Sequence, residues 1–164
     1  MKIPSSLTAA LFCVLLAPSP VVADAAGPIN FSLDQLGGGT VAVSDYLGEW
    51  VIINYWATWC APCRKEIPEL SELHVERNDV TVLGLAFEDT DEAAFEDFLG
   101  DFDVTYPILR VDVYQPPEPF GAPKVLPTTI VLNPQGMEAH SFFGPVTRKN
   151  LEDVIDGKIP AGQP

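Results

Sequence analysis

Two nearly continuous apolar runs, 51–56 and 80–87, dominate the pattern of hydrophobic and polar positions along the chain. Runs of this length without alternation are typical of central strands that are covered on both faces. A further strand is expected over 104–111, where Pro107 interrupts it. The pattern therefore predicts a sheet whose centre is formed by the first two runs.

Two hairpins are predicted, one at each end of this central region. Segments 29–33 and 40–43 read as strands separated by three consecutive glycines, which break regular structure. Segments 128–132 and 137–143 are joined by the turn sequence Asn-Pro-Gln-Gly.

One long helix is predicted over residues 60–78, between the two central runs. Its apolar stripe consists of Ile67, Leu70 and Leu73, and Pro68 is expected to kink it. The glutamates of the helix are expected to face water: Glu66, Glu69, Glu72 and Glu76.

Two shorter helices complete the pattern, one capped by Thr90 and the other by Thr147. The proline-rich segment 114–127 is interpreted as an ordered loop or a short helix rather than a linker. Strands that alternate with helices, followed by a hairpin, predict a three-layer α/β/α sandwich with a mixed central sheet and an N-terminal hairpin. A chain of 164 residues is long enough for one such domain.

The amino terminus has the layout of a secretory signal. An apolar segment follows Lys2, and small residues before Ala23 and Ala25 fit cleavage after either position. The sequence thus predicts a signal peptide over 1–25, one folded domain over 26–164, and a periplasmic or otherwise exported location. An uncleaved membrane anchor is the alternative, although the apolar segment is short of the roughly 20 residues that a span needs.

The net charge of −14 bears on possible partners. Such a surface disfavours nucleic acid and anionic membranes, and it would steer a basic protein partner toward the molecule. A plainer interpretation is that acidic residues keep an exported protein soluble.

Cys60 and Cys63 are the only cysteines outside the predicted signal segment. A disulfide that closes so short a loop contributes little to stability, so we interpret the pair as a dithiol that cycles with its disulfide. At a helix start Cys60 would have a lowered pKa and act as the nucleophile, and Cys63, one turn on, would resolve the mixed disulfide. Pro62 restricts the backbone between them.

Cys63 needs a proton acceptor before it can attack, because only a thiolate is nucleophilic. The strand that precedes the cysteines offers Asn54, which does not titrate. Glu88, at the end of the neighbouring strand, is the candidate, and burial would raise its pKa. The alternative is that Glu88 is an exposed glutamate at a strand end.

The run from Asn54 to Pro68, with Trp-Cys-Ala-Pro-Cys at its centre, closely resembles the thioredoxin superfamily and, within it, exported TlpA/ResA/DsbE-like thiol-disulfide oxidoreductases. Leu126-Pro127-Thr128 is similar to the cis-proline segment of that superfamily. The resemblance covers about residues 27–157. It departs from the DsbE pattern at Lys124-Val125, where those proteins have Pro-Glu-Thr.

The resemblance implies substrate-binding positions at Trp59, Pro62, Leu126 and Pro127, and it implies that Glu88 matches the buried acid of the ResA-like branch. It further implies a monomeric reductase of partner-protein disulfides, such as those of apocytochrome c or a copper protein, supplied with electrons by a membrane donor of the CcdA/DsbD type. No cofactor beyond the redox-active pair is expected.

Two other functions stay open. A peroxiredoxin-type peroxidase would use a cysteine near a helix start, but it would want a threonine three positions before the nucleophile, where this chain has Ala57. A copper-binding module would use Cys60 and Cys63 with a histidine, but His74 and His140 are not in ligand spacing. We expect no metal site.

Overall fold

The computed structural model describes residues 27–118 and 120–159. The predicted signal segment, 1–25, lies outside the described residues, so its cleavage and the alternative anchor stay predictions. Within the described part of the chain, no helix is long and apolar enough to cross a membrane.

Seven strands, three α-helices and one short 3-10 turn make up the described chain. In chain order they are β1 (Ser32–Asp34), β2 (Thr40–Ala42), the 3-10 turn (Val43–Tyr46), β3 (Trp50–Trp56), α1 (Cys63–Glu76), β4 (Val80–Ala86), α2 (Glu92–Leu99), β5 (Ile108–Arg110), β6 (Thr128–Leu132), β7 (Glu138–Phe143) and α3 (Arg148–Ile155).

The main sheet has the strand order β5-β4-β3-β6-β7. Strands β3, β4 and β5 are parallel, whereas β6 is antiparallel to β3 and β7 is antiparallel to β6. The sheet is therefore mixed, as predicted, and the two apolar runs form adjacent central strands. Strands β1 and β2 pair as a separate antiparallel hairpin, which is the predicted N-terminal one.

The two faces of the sheet are covered by different kinds of structure. On one face, Ile52 and Trp56 of β3 pack with the buried side chains of all three helices. On the other face, the alternate residues of the same strand pack under the β1–β2 hairpin, the 3-10 turn and the loop at Phe120. Side chains of a strand point alternately to opposite faces. A strand buried on both sides therefore has a continuous apolar sequence. The fold is thioredoxin-like α/β, with the hairpin serving as the second outer layer.

Three predicted boundaries are corrected by the structure. Helix α1 begins at Cys63 rather than Cys60, since the chain before it forms a turn in which the Cys60 N–H donates to the Ala57 carbonyl at 3.1 Å. The second helix is capped by Asp91, not Thr90, because the Asp91 carboxylate accepts the Ala94 N–H at 2.9 Å.

The third correction concerns β5, which is limited to 108–110 instead of 104–111. Pro107 has no N–H to donate, and the strand begins after it. The predicted cap of the last helix is confirmed, since the Thr147 side chain accepts the Asn150 N–H.

Candidate redox site

The cysteines lie where β3 ends, at the edge of the sheet where β6 begins. In the antiparallel register, Tyr55 of β3 is opposite Thr128 of β6. The loop that leaves β3 toward Cys60 and the segment that enters β6 at Pro127 therefore meet at the same edge. The sequence separates these two segments by more than 60 residues, and strand pairing alone brings them together.

Cys60 and Cys63 form a disulfide in the structure, with Cα atoms 5.3 Å apart. Both residues are almost fully buried, at 3% and 1% exposure, but the flanking Trp59 is 68% exposed. The backbone N–H of Cys63 donates to Cys60 Sγ at 3.3 Å. A donor aimed at this sulfur would favour its thiolate once the bond is reduced, which supports the predicted order of the two cysteines.

Pro62 stays at the start of α1, half-buried, with φ −68° and ψ −32°. These angles are already helical, so the turn at Cys60 continues directly through Pro62 into the first turn of α1.

The peptide bond between Leu126 and Pro127 is cis, as the resemblance implied. Leu126 is partly buried and packs against the core cluster that contains both cysteines. Pro127 is buried, and its carbonyl accepts the Gly144 N–H at 2.9 Å. Within residues 27–118 and 120–159, no backbone hydrogen bond uses the N–H or C=O of Leu126. These two groups are therefore free to pair with an extended chain.

A groove of about 600 Å³ adjoins this segment on the hairpin side of the sheet. Its apolar wall includes Val125 and Phe143, which are 42% and 64% exposed. Exposed apolar side chains beside a free backbone edge are a surface on which a polypeptide can dock.

Glu88 is half-buried and contacts the loop that leads to the cysteines. Its carboxylate accepts the Thr58 N–H at 2.9 Å and the Thr58 hydroxyl at 2.8 Å. The contacts of Glu88 are thus with a residue two positions before Cys60, and they fasten the end of β4 to the redox loop.

The prediction that Glu66 faces water is wrong. Its side chain is buried, at 3% exposure, on the face of α1 that carries the apolar stripe. It accepts hydrogen bonds from the Val146 N–H at 2.5 Å and from the Asn54 side-chain amide at 3.2 Å. The reason for the error is that these partners lie on other elements, and their contacts with α1 cannot be read from helical periodicity.

Burial raises the pKa of the Glu66 carboxyl to about 7 from 4.5. The hydrogen bonds from Val146 and Asn54 act in the opposite direction because they favour the carboxylate, and the nearby charge of Glu69 adds to the rise. A buried carboxyl that titrates near neutral pH is suited to accept and release protons.

One signal for Glu66 was present in the sequence. Glu66 follows Cys63 by three positions, so the two side chains lie one turn apart on the same face of a helix, and Cys63 must face inward to reach Cys60. A glutamate at that position is next to the apolar stripe rather than opposite it.

The contacts of the two histidines are with residues other than the cysteines. His74 Nδ1 accepts the Val82 N–H at 3.3 Å, and burial lowers the pKa of this imidazole. His140 is buried on β7, where its ring lies 4.4 Å from that of Phe142. Among the described residues, no group of three or more His, Cys, Asp or Glu side chains is arranged to hold a metal ion.

Comparison with known proteins assigns the chain to a family. The profile of the AhpC/TSA family matches residues 23–139. The thioredoxin-like protein YneN of Bacillus subtilis (strain 168) is 32% identical over 130 residues, which cover 77% of this chain and 75% of YneN. The thiol-disulfide oxidoreductase ResA of Bacillus thuringiensis subsp. konkukian (strain 97-27) is 28% identical over 133 residues, which cover 80% of this chain and 76% of ResA.

A solved structure supports the same assignment. The secreted thiol-disulfide isomerase of Corynebacterium glutamicum is 31% identical and superposes with a TM-score of 0.67, over 86% of this chain and 95% of the isomerase. With its paired cysteines at the end of β3, the chain belongs to the AhpC/TSA family and is one of its thioredoxin-like thiol-disulfide oxidoreductases.

Proposed function

We propose that this protein is an exported reductase that transfers two electrons from its Cys60/Cys63 dithiol to a disulfide in a partner protein. The observation that carries the proposal is the position of the cysteine pair beside the free backbone edge of Leu126. A polypeptide paired along this edge would bring its own disulfide to Cys60.

The exchange proceeds in two balanced steps. The Cys60 thiolate attacks one sulfur of the partner disulfide, so a mixed disulfide forms and the partner's second sulfur leaves as a thiolate. Cys63, as a thiolate, then attacks Cys60 Sγ and releases the partner's first sulfur. The partner gains two electrons and becomes a dithiol, and the enzyme is left with the Cys60–Cys63 disulfide.

Glu66 is the carboxylate that we assign as proton acceptor for Cys63. It lies one helical turn beyond Cys63 in the same buried face, and its pKa of about 7 lets it take up a proton at neutral pH. Glu88, the acceptor predicted from the sequence, stays the alternative acceptor. In the structure its carboxylate binds the N–H and hydroxyl of Thr58, in the loop before Cys60.

Substitution of each glutamate by glutamine separates these two roles. Glu66→Gln should slow resolution of a mixed disulfide by about 10- to 100-fold near pH 7, because it removes the proton acceptor and keeps the shape. Glu88→Gln should change the rate by less than about threefold, since glutamine can still accept from Thr58. Stopped-flow measurement of resolution between pH 5 and 9 decides the assignment, and a larger effect of Glu88→Gln would reverse it.

The direction of transfer and the partners are inferred from the resemblance to the TlpA/ResA/DsbE-like proteins. We propose reduction of cysteines in apocytochrome c or a copper protein, with electrons from a membrane donor of the CcdA/DsbD type, by a monomer without further cofactor. Export is supported by the signal-like segment 1–25 and by the secreted isomerase described above.

The proposal is tested by the redox state of the pair in growing cells and by its reduction potential. A reductase should be found mainly as the dithiol, and its potential should be low, toward the roughly −270 mV of thioredoxin. A pair found oxidised in cells would contradict the proposed direction. A Cys63→Ala variant should accumulate the mixed disulfide, from which the partner can be identified.

The peroxidase alternative is weakened by the residues before Cys60. Ala57 is fully buried and has no hydroxyl, and the hydroxyl of Thr58 is already bound to Glu88. Turnover of hydrogen peroxide, measured beside insulin reduction and beside copper content after purification, distinguishes peroxidase, reductase and copper module in one preparation.

A further inference from the structure

Asn54, the residue of β3 that cannot titrate, contacts the proposed proton acceptor directly. It is 1% exposed, and the nitrogen of its side-chain amide carries two hydrogens. This nitrogen donates to Glu66 Oε2 at 3.2 Å and to Thr129 Oγ1 at 3.0 Å. Both hydrogens are therefore used, and the amide is fixed between α1 and β6.

Thr129 holds the other side of the amide. It is fully buried on β6 and lies directly opposite Asn54 in the antiparallel register. Facing residues of paired strands are held close together, so the hydroxyl stays beside the amide without support from a loop. The hydrogen-bonded series Thr129–Asn54–Glu66 thus connects β6, two positions after Pro127, to the helix that carries Cys63.

The titratable groups around Glu66 do not favour its ionised form. Beyond the effect of burial, the negative charge of Glu69 raises the pKa of the Glu66 carboxyl. Burial and the charge of Glu66 raise the pKa of the Tyr106 phenol, which lies before β5 and stays neutral near pH 7. Cys63, one turn before Glu66, is neutral in the disulfide. Among the described residues, no lysine, arginine or histidine makes an ion pair with Glu66.

Two neutral donors are left to stabilise the carboxylate. The Val146 N–H donates to Glu66 Oε1 at 2.5 Å, and the Asn54 amide donates to Oε2. Hydrogen bonds to an ionised group are roughly twice as strong as those between neutral groups, and burial excludes competing water. Since the Val146 donor is a backbone group, Asn54 is the one side chain of the described residues that donates to Glu66.

We infer that Asn54 and Thr129 are positioning residues for the reaction: Thr129 orients the Asn54 amide, and the amide holds Glu66 as the carboxylate that accepts the Cys63 proton. The inference rests on the proposed function. Without this donor, a smaller fraction of Glu66 would be ionised at neutral pH, and a carboxyl that is already protonated accepts no proton. An amide suits the position because it keeps its hydrogens at every pH, whereas an acid there would repel the carboxylate.

Titration of the Glu66 carboxyl in the oxidised protein tests the inference without any redox step. The midpoint is measured by NMR on protein labelled at the carboxyl carbons of glutamate, and the Glu66 resonance is the one missing from Glu66→Gln. Asn54→Leu removes the donor and nearly keeps the shape, so it should raise the midpoint by about one pH unit. Thr129→Val removes the group that orients the amide and should raise it by about half a unit. No rise in Asn54→Leu would overturn the inference.

Two controls separate positioning from damage to the core. Thr129→Ser keeps the hydroxyl and should keep the midpoint within about 0.2 pH unit of the wild type. Thr81→Val is the matched control on β4, because Thr81 is also buried and its hydroxyl donates to Glu49 Oε2 at 2.7 Å. It pairs with Val51, at the end of β3 away from the cysteines, and should leave the midpoint unchanged. Equal rises in Thr81→Val and Thr129→Val would attribute the effect to lost packing and overturn the inference.

Resolution of a mixed disulfide connects the titration to the reaction. Asn54→Leu should resolve it about fivefold more slowly than the wild type at pH 7 and at about the wild-type rate near pH 9, where Glu66 is ionised in both. An equal loss of rate at every pH would indicate a distorted site and overturn the inference. Normal resolution in both Asn54→Leu and Glu66→Gln would contradict the proposed role of Glu66, whereas the titration would still decide whether Asn54 holds its carboxylate.

Discussion

Among the aspartates and glutamates that the structure describes, Glu66 departs furthest from the ordinary pKa of its carboxyl group. A buried carboxyl whose pKa is about 7 holds its proton in the folded protein at pH values where the unfolded chain has released it. The folded state therefore binds more protons than the unfolded state between about pH 4.5 and 7. Its contribution to stability is complete below that window and is lost as the pH rises through it.

Glu66→Gln should consequently flatten the dependence of stability on pH. A rise from 4.5 to about 7 corresponds to about 3 kcal/mol of unfolding free energy lost by the wild type between pH 4 and pH 8 through this residue. Glutamine has no proton to lose and can keep the Val146 hydrogen bond. Urea unfolding of the oxidised protein at several pH values measures the difference.

Glu72→Gln is the control for that experiment, since Glu72 is exposed on the same helix. This variant should follow the wild-type curve within about 0.5 kcal/mol. If Glu66→Gln also follows the wild-type curve, Glu66 does not titrate near neutral pH, and its assignment as the proton acceptor for Cys63 fails with it.

The redox pair could be predicted from sequence, whereas the only local signal for its buried acid is the position of Glu66 one helical turn after Cys63. The spacing of Cys60 and Cys63 indicates their chemistry, because two residues between cysteines leave the sulfurs close enough to bond. The burial of Glu66 depends on Asn54 in β3 and on Val146, 80 positions along the chain. No local pattern contains those contacts, so the glutamate resembled its exposed neighbours.

At the scale of elements, the redox loop is held between two parallel strands. Residues 57–62 leave β3, and the carboxylate of Glu88, just beyond β4, accepts two hydrogen bonds from Thr58 in that loop. The adjacent strand thereby restrains the turn that carries Cys60. Such support matters because thiol exchange requires the three sulfurs of the mixed disulfide to line up.

Thr58→Val tests this connection. Valine matches the shape of threonine but lacks the hydroxyl, so the 2.8 Å bond to Glu88 is lost while the backbone bond remains. The free energy of unfolding should fall by about 1 kcal/mol. Thr40→Val removes an exposed hydroxyl bond to Asp34 in the β1–β2 hairpin and should cost less than about 0.5 kcal/mol. Equal losses in the two variants would mean that the hydroxyl bond to Glu88 stabilises the protein no more than an exposed hydroxyl bond does.

The elements themselves were predicted more reliably than their ends. Strands β3 and β4 were evident because a strand covered on both faces is apolar throughout, and the second hairpin was evident from its turn. Helix α1 begins three residues later than predicted because Cys60 lies in a turn before the helix, where its N–H donates to the Ala57 carbonyl. The hairpin as the second covering layer could not be predicted, since nothing local states which face of a sheet a hairpin will cover.

At the scale of the whole molecule, negative charge is the property that no single contact explains. Nine basic residues are outnumbered by 23 acidic ones. Most of the ion pairs join partly or fully exposed side chains, so they offset little of this repulsion. The excess instead produces a field around the protein that reaches several ångströms into solution and is shortened by salt.

Salt should accordingly stabilise this protein at neutral pH, because it screens repulsion that the folded state concentrates. Raising sodium chloride from 0.02 to 0.5 M at pH 7.5 should increase the unfolding free energy by about 1 kcal/mol. The comparison is the same salt increase near the isoelectric point of about 4.2, where the net charge vanishes and screening should have almost no effect. Thermal unfolding of the oxidised protein at both pH values measures the two salt effects. An equal gain at both would attribute the effect to salting-out of apolar surface, and the electrostatic account of the acidic surface would then be wrong.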